Sequence, residues 1–145
     1  MNYTELVAAI ESDTENKYTK DDVDTFIKNA EQSIYNSVQL PDLRKNVTGN
    51  MSTNNKYFGL PSDWLSTFSI AVIDSDNKYS YLLNKDVNFI REAFPDVDSE
   101  YNGKPKYYAI FDDGTMILGP TPDEDYNAEL HYYYYPESIV TAGNT

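Results

Sequence analysis

The sequence predicts an α+β protein in which an N-terminal helical hairpin precedes a mostly antiparallel β-sheet or sandwich with one short inserted helix. Up to residue 40, apolar side chains recur with the period of a helix, and after Pro41 short runs of β-branched and aromatic residues alternate with turn residues. One further helical pattern interrupts the second part. The chain thus divides into a helical segment, 1–40, and a β-rich segment, 41–145, which we expect to form one compact unit.

The first two elements are predicted to be amphipathic helices. The first extends from Thr4 to Asp13, with Glu5 in the turn where the helix dipole favours an anion. Thr19 can cap the second. Its apolar residues share one face: Val23, Phe26, Ile27, Ala30, Ile34 and Val38. This helix should end near Leu40, because the residue before Pro41 is biased toward extended geometry.

The next elements are predicted to be two hairpins. The first pairs a strand from Leu43 to Ser52 with a return strand from Lys56 to Leu60. The second pairs Ser66 to Ile73 with Tyr79 to Leu83, across an Asp- and Asn-rich turn.

A short helix and the clearest hairpin follow. Asn84 or Asp86 can open the helix, and Pro95 closes it before a polar loop from Asp96 to Pro105. The strands 106–111 and 115–118 then form a hairpin, because the Asp-Gly pair between them can supply the positive φ angles of such turns.

The last predicted strand, Tyr126 to Tyr135, ends in four consecutive tyrosines. Successive side chains of a strand point to opposite faces, so Tyr132 and Tyr134 share one face and Tyr133 and Tyr135 the other. Each ring combines a large apolar area with a polar hydroxyl. The run therefore fits a sheet covered partly by its own chain and partly by a neighbouring subunit. The alternative is a strand buried within one domain.

The composition excludes several classes of function. The chain has 145 residues, 24 acidic against 11 basic side chains, a net charge of −13, and no cysteine. Conventional nucleic-acid binding relies on phosphate neutralisation, which this charge opposes. Disulfides and thiolate metal sites are ruled out, no apolar run approaches the ~18 residues of a membrane span, and we expect no secretory signal.

No motif of catalysis or of cofactor binding is present, so we expect neither an enzyme nor a bound cofactor or metal. The single histidine, His131, is interpreted as structural or interfacial, since one His without Cys builds no typical zinc site. The segment 74–85 begins like a calcium loop but ends in Lys85 where a Glu ligand belongs. Asp112 and Asp113 are paired carboxylates, which leaves a hydrolase as the weakest alternative.

Arg44 and Lys45 are the only adjacent basic pair. With Lys56 across the first predicted hairpin, they are expected to form a small positive patch that meets the acidic face of a neighbour.

Six segments resemble the bacteriophage adaptor proteins, the head-to-tail connectors of tailed phages. The likeness covers nearly the whole chain, and the segments keep their order: EQSIY (31–35), QLPDLRKNVTG (39–49), LPSDWL (60–65), LLNKDVNFIREA (82–93), ILGPTP (117–122) and LHYYYYPES (130–138). The resemblance implies a virion protein without catalytic activity, made in the host cytoplasm. Many copies would form a ring that joins the portal protein to the tail or nozzle protein. DNA would pass through the ring without sequence-specific binding.

Such proteins usually continue past the tyrosine strand into a further helical segment, whereas this sequence stops at Thr145. Either the chain is shortened or partial, or neighbours supply the missing contacts. The residues expected at interfaces are Arg44, Lys45, Tyr107, Tyr108, Tyr132, Tyr133, Tyr134 and Tyr135. The alternative function is a carbohydrate- or peptide-binding β module, with Tyr107, Tyr133 and Tyr135 as its stacking platform.

Overall fold

The computed structural model of the chain describes residues 1–95 and 100–142. Within these residues it has three α-helices and eight strands in two mostly antiparallel sheets, which confirms the α+β class. The chain forms two compact units, one made of Met1–Leu40 with Tyr135–Thr145 and the other of Pro41–Tyr134. The polar loop predicted from Asp96 lies partly outside the described residues.

The helices are α1 (Tyr3–Thr14), α2 (Lys20–Ser37) and α3 (Val87–Ala93), with a 3₁₀ turn at Pro41–Leu43. The strands are β1 (Arg44–Met51), β2 (Tyr57–Gly59), β3 (Trp64–Ile73), β4 (Tyr79–Tyr81), β5 (Leu83–Asn84), β6 (Tyr107–Asp112), β7 (Thr115–Gly119) and β8 (Tyr126–Tyr134).

The first unit is built on α1 and α2, whose starts follow from their capping residues. Asn2 and Glu5 form a capping box, each side chain accepting a hydrogen bond from the other residue's backbone N–H at 2.9 Å. Thr19 caps α2 as predicted. The helix ends at Ser37 rather than near Leu40, because Val38 already has the extended geometry that leads toward Pro41.

The second unit is a sandwich of two sheets. The first sheet has the strand order β1-β8-β3-β4 and the second sheet has the order β2-β7-β6-β5. Inward-pointing side chains of both sheets form the main core: Met51, Phe58, Ile70, Val72, Tyr108, Met116, Leu118, Tyr126, Ala128, Leu130 and Tyr132, with Leu82.

The predicted hairpin between β1 and β2 is wrong. β1 pairs along its whole length with β8, from Arg44 opposite Tyr133 to Met51 opposite Tyr126, whereas β2 pairs with β7. The link after β1 is fixed to the residue before β8, because Asp125 accepts hydrogen bonds from the Thr53 amide and hydroxyl. It carries the chain from one sheet to the other. Lys56 therefore does not lie across a hairpin from Arg44 and Lys45.

The two other hairpins, β3–β4 and β6–β7, are confirmed, but the predicted return strand Tyr79 to Leu83 is shorter, because Leu83 pairs with β6 in the second sheet. The Asp113-Gly114 pair does connect β6 to β7, but neither residue has a positive φ. The turn is closed by the Asp112 side chain, which accepts a hydrogen bond from the Gly114 amide at 3.0 Å, next to an irregularity in register between Ile110 and Asp112. A bulge of this kind increases local twist and so replaces the positive-φ turn.

The second sheet is covered on both faces. β5 pairs in parallel with β6, which requires a crossover connection that α3 supplies. Ile90 of α3 packs with Ala109 and Ile117 on the outer side of the sheet. This explains the nearly continuous burial of β7, whereas the outer face of the first sheet has no such covering helix within the described part of this unit.

Gly119 is expected to be essential for the contact between α3 and β7. A Cβ added there would lie 2.6 Å from Phe94 Cδ2 and 3.1 Å from Ile90 Cγ2, closer than packed side chains tolerate. We expect Gly119→Ala to lower the free energy of unfolding by about 1–3 kcal/mol, as overpacking does. Urea denaturation measures the change.

Gly114→Ala is the matched control. A Cβ at Gly114 would meet no described atom within 4 Å, and the φ of Gly114 is not positive. The free energy of unfolding of this variant should therefore stay within about 0.5 kcal/mol of that of the unmodified protein. Equal stabilities of the two variants would contradict the close packing of α3 on β7.

Candidate protein-contact surfaces

β8 is one of the two interior strands of the first sheet and lies between β1 and β3. Its alternate residues Tyr126, Ala128, Leu130 and Tyr132 are buried in the core. The intervening residues Asn127, Glu129, His131 and Tyr133 lie on the other face and are at least partly exposed. The tyrosine run is therefore two-faced, as the strand period predicts.

On the inner side, Tyr132 belongs to a polar network at one end of the core. Its ring is only 2% exposed, and its hydroxyl donates a hydrogen bond to Asp63 Oδ1 at 2.8 Å. Lys45 Nζ lies 2.6 Å from Asp63 Oδ2 and 4.0 Å from the centre of the Tyr134 ring. Lys45 and Tyr132 are thus brought together at one carboxylate, and the Lys45 ammonium also stands over the Tyr134 ring.

The network shifts the pKa values of both partners. Burial, aided by the hydrogen bond to Asp63, raises the pKa of Tyr132 to about 12. Partial burial would also raise the pKa of Asp63, but hydrogen bonds from Lys45 and Tyr132 outweigh it, so this pKa lies below its ordinary value. A carboxyl whose pKa is lowered by folding stabilises the folded state above its unfolded pKa, and that stabilisation is lost as the pH falls through its folded pKa.

Asp63→Asn is therefore expected to cost more stability at neutral than at acid pH. At pH 7 the loss of charge-assisted hydrogen bonds should lower the free energy of unfolding by about 1.5–3 kcal/mol. The cost should shrink as the pH falls below about 4, where the original carboxyl begins to be protonated in the unfolded chain. Urea denaturation at pH 7 and pH 3 measures both values.

Asp76→Asn serves as the control. Its ion pair with Lys78 spans 3.8 Å between side chains that are both 75% exposed, so the substitution should have little effect at either pH. A cost for Asp63→Asn that does not change with pH would contradict the charged network.

On the outer side, Phe68 is the centre of a cluster with Arg44, His131 and Tyr133. Its ring centre lies 4.9 Å from that of His131 and 6.2 Å from that of Tyr133, while the Arg44 guanidinium carbon lies 4.5 Å from it. Phe68 is 52% exposed. We call Arg44, Phe68, His131 and Tyr133 the outer aromatic cluster.

The same face continues onto β4. Tyr79 and Tyr81 pair with Ile73 and Ala71, whose β8 partners, Asn127 and Glu129, point outward. Both rings are at least half exposed. Sequence reasoning missed Phe68, Tyr79 and Tyr81; the alternation Tyr79-Ser80-Tyr81 was the available signal, but their common face depends on strand pairing.

The other predicted residues lie elsewhere. Tyr135 belongs to the first unit, where its hydroxyl donates to Asn36 Oδ1. Tyr107 lies on the outer side of the second sheet, with its ring centre 5.5 Å from that of Phe89. Tyr108 points into the core, and burial raises its pKa. The eight predicted residues are therefore distributed over both sheets and both units.

The acidic turns are occupied by local hydrogen bonds. Asp74 Oδ1 accepts from the amides of Asp76 and Lys78, and its other oxygen lies 2.9 Å from Lys104 Nζ. Among the described residues, no three His, Asp or Glu side chains are grouped to hold a metal ion. In the same part of the chain, no helix is both long and apolar enough to cross a membrane.

No curated protein matches the chain. The family model of the SU10 adaptor protein matches residues 1–145, which is the whole sequence. This match confirms the resemblance to phage head-to-tail adaptors that six sequence segments indicate, and the chain belongs to the SU10 adaptor protein family.

Proposed function

We propose that this phage adaptor is a non-catalytic virion protein that assembles into a ring, joins the portal to the tail and surrounds the DNA exit channel. The family match over residues 1–145 supports the adaptor role. The observation that carries the assembly proposal is the outer aromatic cluster, which leaves a Phe ring half exposed beside an Arg on the outer face of the first sheet.

This cluster has the chemistry of a protein-contact surface. Aromatic and Arg side chains are enriched at the energetically dominant centres of interfaces, where they combine apolar area with polar edges. Arg44 and Tyr133, two of the predicted interface residues, lie in it. Tyr108 and Tyr132 are buried in the core, so their role in assembly is to hold the sheets that present this surface.

The charge of the chain fits a wall that DNA passes. A net charge of −13 repels phosphates at close range and keeps DNA from adhering, although screening limits this effect to about 8 Å.

The partners in this proposal are further copies of the chain, the portal protein and the tail protein. The adaptor is made in the host cytoplasm and resides at the head-to-tail junction.

The ring is tested with the purified full chain, alone and with its purified portal. Analytical ultracentrifugation should show a closed higher oligomer or a stable complex with the portal. Negative-stain images should show a ring around a central channel. A strictly monomeric particle that ignores the portal would overturn the proposal.

The carbohydrate-binding alternative has no assembled platform. Tyr133 lies on the outer face of the first sheet and Tyr107 on the outer side of the second, so the sandwich separates them. A glycan array with the purified chain should therefore give no binding.

A further inference from the structure

A second exposed surface combines cations with aromatic rings, on the outer side of the second sheet. Each of its three cations stands over a ring. Lys56 Nζ lies 5.7 Å from the centre of Tyr57, Lys85 Nζ 5.4 Å from Phe89, and the Arg91 guanidinium carbon 5.3 Å from Phe111. We call these six residues the α3 face.

The α3 face is continuous along β6. Phe89 packs against Tyr107 at the start of this strand, and Arg91 stands over Phe111 near its end. Phe111 in turn lies 5.2 Å from Tyr57 of β2. The Tyr57, Phe89 and Phe111 rings remain between 37% and 41% exposed.

The cations of this face form no ion pair with any other residue that the structure describes. Among the described residues, none of the pairs within 4.0 Å includes Lys56, Lys85 or Arg91, although acidic side chains outnumber basic ones 24 to 11. The neighbouring Asp86 side chain is used by the α3 N-terminus, where it accepts from the Asn88 amide at 2.7 Å. Three positive charges therefore remain available to an acidic partner.

The helical unit of the same protein has the complementary character. It carries nine acidic side chains against three lysines, a net charge of −6 over residues 1–40 and 135–145. It also contains an apolar groove of about 760 Å³, lined by Leu6, Ile10, Phe26, Ile27, Ile34 and Ile139 together with Glu31 and Glu137. Apolar area and negative charge are thus combined on one surface.

We propose that the α3 face of one copy binds the acidic helical unit of the next copy. This proposal rests on the proposed ring, because two different surfaces that meet in a head-to-tail manner close into a ring when the rotation allows. The aromatic rings supply the apolar contact and the cations the charge complementarity, which sets orientation and partner choice. The attraction between a cation and the aromatic ring beneath it becomes stronger when water is excluded from the contact.

Charge reversal on the α3 face should weaken self-association. We expect Arg91→Glu to raise the dissociation constant of the oligomer at least about tenfold, measured by sedimentation at low salt. Raising the ionic strength should also raise the dissociation constant of the unmodified protein, because salt screens the attraction between the two surfaces. Lys78→Glu makes the same charge change at an exposed turn and should alter the constant less than about twofold.

A compensating exchange tests whether the acidic partner is another copy. Glu137→Lys reverses an exposed charge beside the groove and should also weaken self-association. A mixture of Arg91→Glu and Glu137→Lys proteins should associate more tightly than either alone, because alternating copies restore opposite charges at every contact. Circular dichroism confirms that each variant is folded.

The outcomes separate this inference from the ring itself. If rings form and Arg91→Glu behaves like Lys78→Glu, the α3 face is not the contact, and the ring proposal stands. If Arg91→Glu weakens only the complex with the portal or the tail protein, the inference is also overturned. A monomer at every protein and salt concentration would overturn both.

Discussion

Tyr132→Ala should lower the free energy of unfolding by about 3–5 kcal/mol, the range for large aromatic residues removed from a core. Tyr132 is 2% exposed, lies on an interior strand of the first sheet and contacts side chains of the sandwich core. Its loss would also remove a hydrogen-bond donor from Asp63. Urea denaturation followed by tryptophan fluorescence measures the change.

Tyr133→Ala is the control one residue along the same strand. Its ring lies on the outer face and is partly exposed, so its removal should cost less than about 1 kcal/mol. Comparing the unfolding free energies of the two variants shows whether the two faces of the tyrosine run contribute differently to stability. Equal costs for both substitutions would show that the strand does not have one buried and one open face.

Phe68→Ala should weaken assembly about thirtyfold or more while leaving the monomer folded. An aromatic anchor at the centre of an interface contributes about 2 kcal/mol or more on truncation, which corresponds to this factor. Phe68 is half exposed and touches Arg44, His131 and Tyr133 from the open side of the sheet, so its removal opens no core cavity. Sedimentation with and without portal measures assembly.

Thr48→Ala provides the control on the same face. Thr48 is exposed on β1, opposite Glu129 and away from the cluster, so the substitution should leave assembly and stability nearly unchanged. Unaltered assembly of Phe68→Ala would remove the outer aromatic cluster from the interface. A large loss of unfolding free energy would instead show that Phe68 is a core residue.

The parts of the fold that depend on neighbours in sequence were predictable. The caps at Thr19 and Asp86 and the apolar spacing of α2 act within one or two helical turns. The β3–β4 hairpin likewise pairs residues separated only by a short turn. The predicted end of α2 was less accurate, because Val38 already has extended geometry three residues before Pro41.

The parts that depend on distant residues were not predictable in this way. β1 lies close in sequence to β2 but pairs with β8, because that register buries Met51 in the core and packs the partly buried Val47 against it. The Asp-Gly turn kept its position but not its expected backbone angles, since an Asp112 side-chain hydrogen bond and a register irregularity close it. For β1, burial and pairing with a distant strand override the local preference for a hairpin.

The contact surfaces likewise combine features set by neighbouring residues with features set by distant ones. Alternation along β8 indicated that Tyr132 and Tyr133 face opposite ways, but it could not indicate which of them points inward. The outer aromatic cluster joins residues of three strands, and the α3 face joins residues of two strands, of α3 and of the links before β2 and before α3. Neither surface is visible as a run of sequence.

By itself, the sequence determined the helices, the short-range hairpins, the acidic charge and the two-faced tyrosine strand, because these follow from periodicity, capping and composition within a few residues. Only the tertiary structure decided that β8 is a central strand, that Tyr132 is buried, and that Phe68 and Arg44 meet Tyr133 on the open face. Strand order and register are selected by burying the apolar side chains of distant segments together, and that choice involves the whole chain at once.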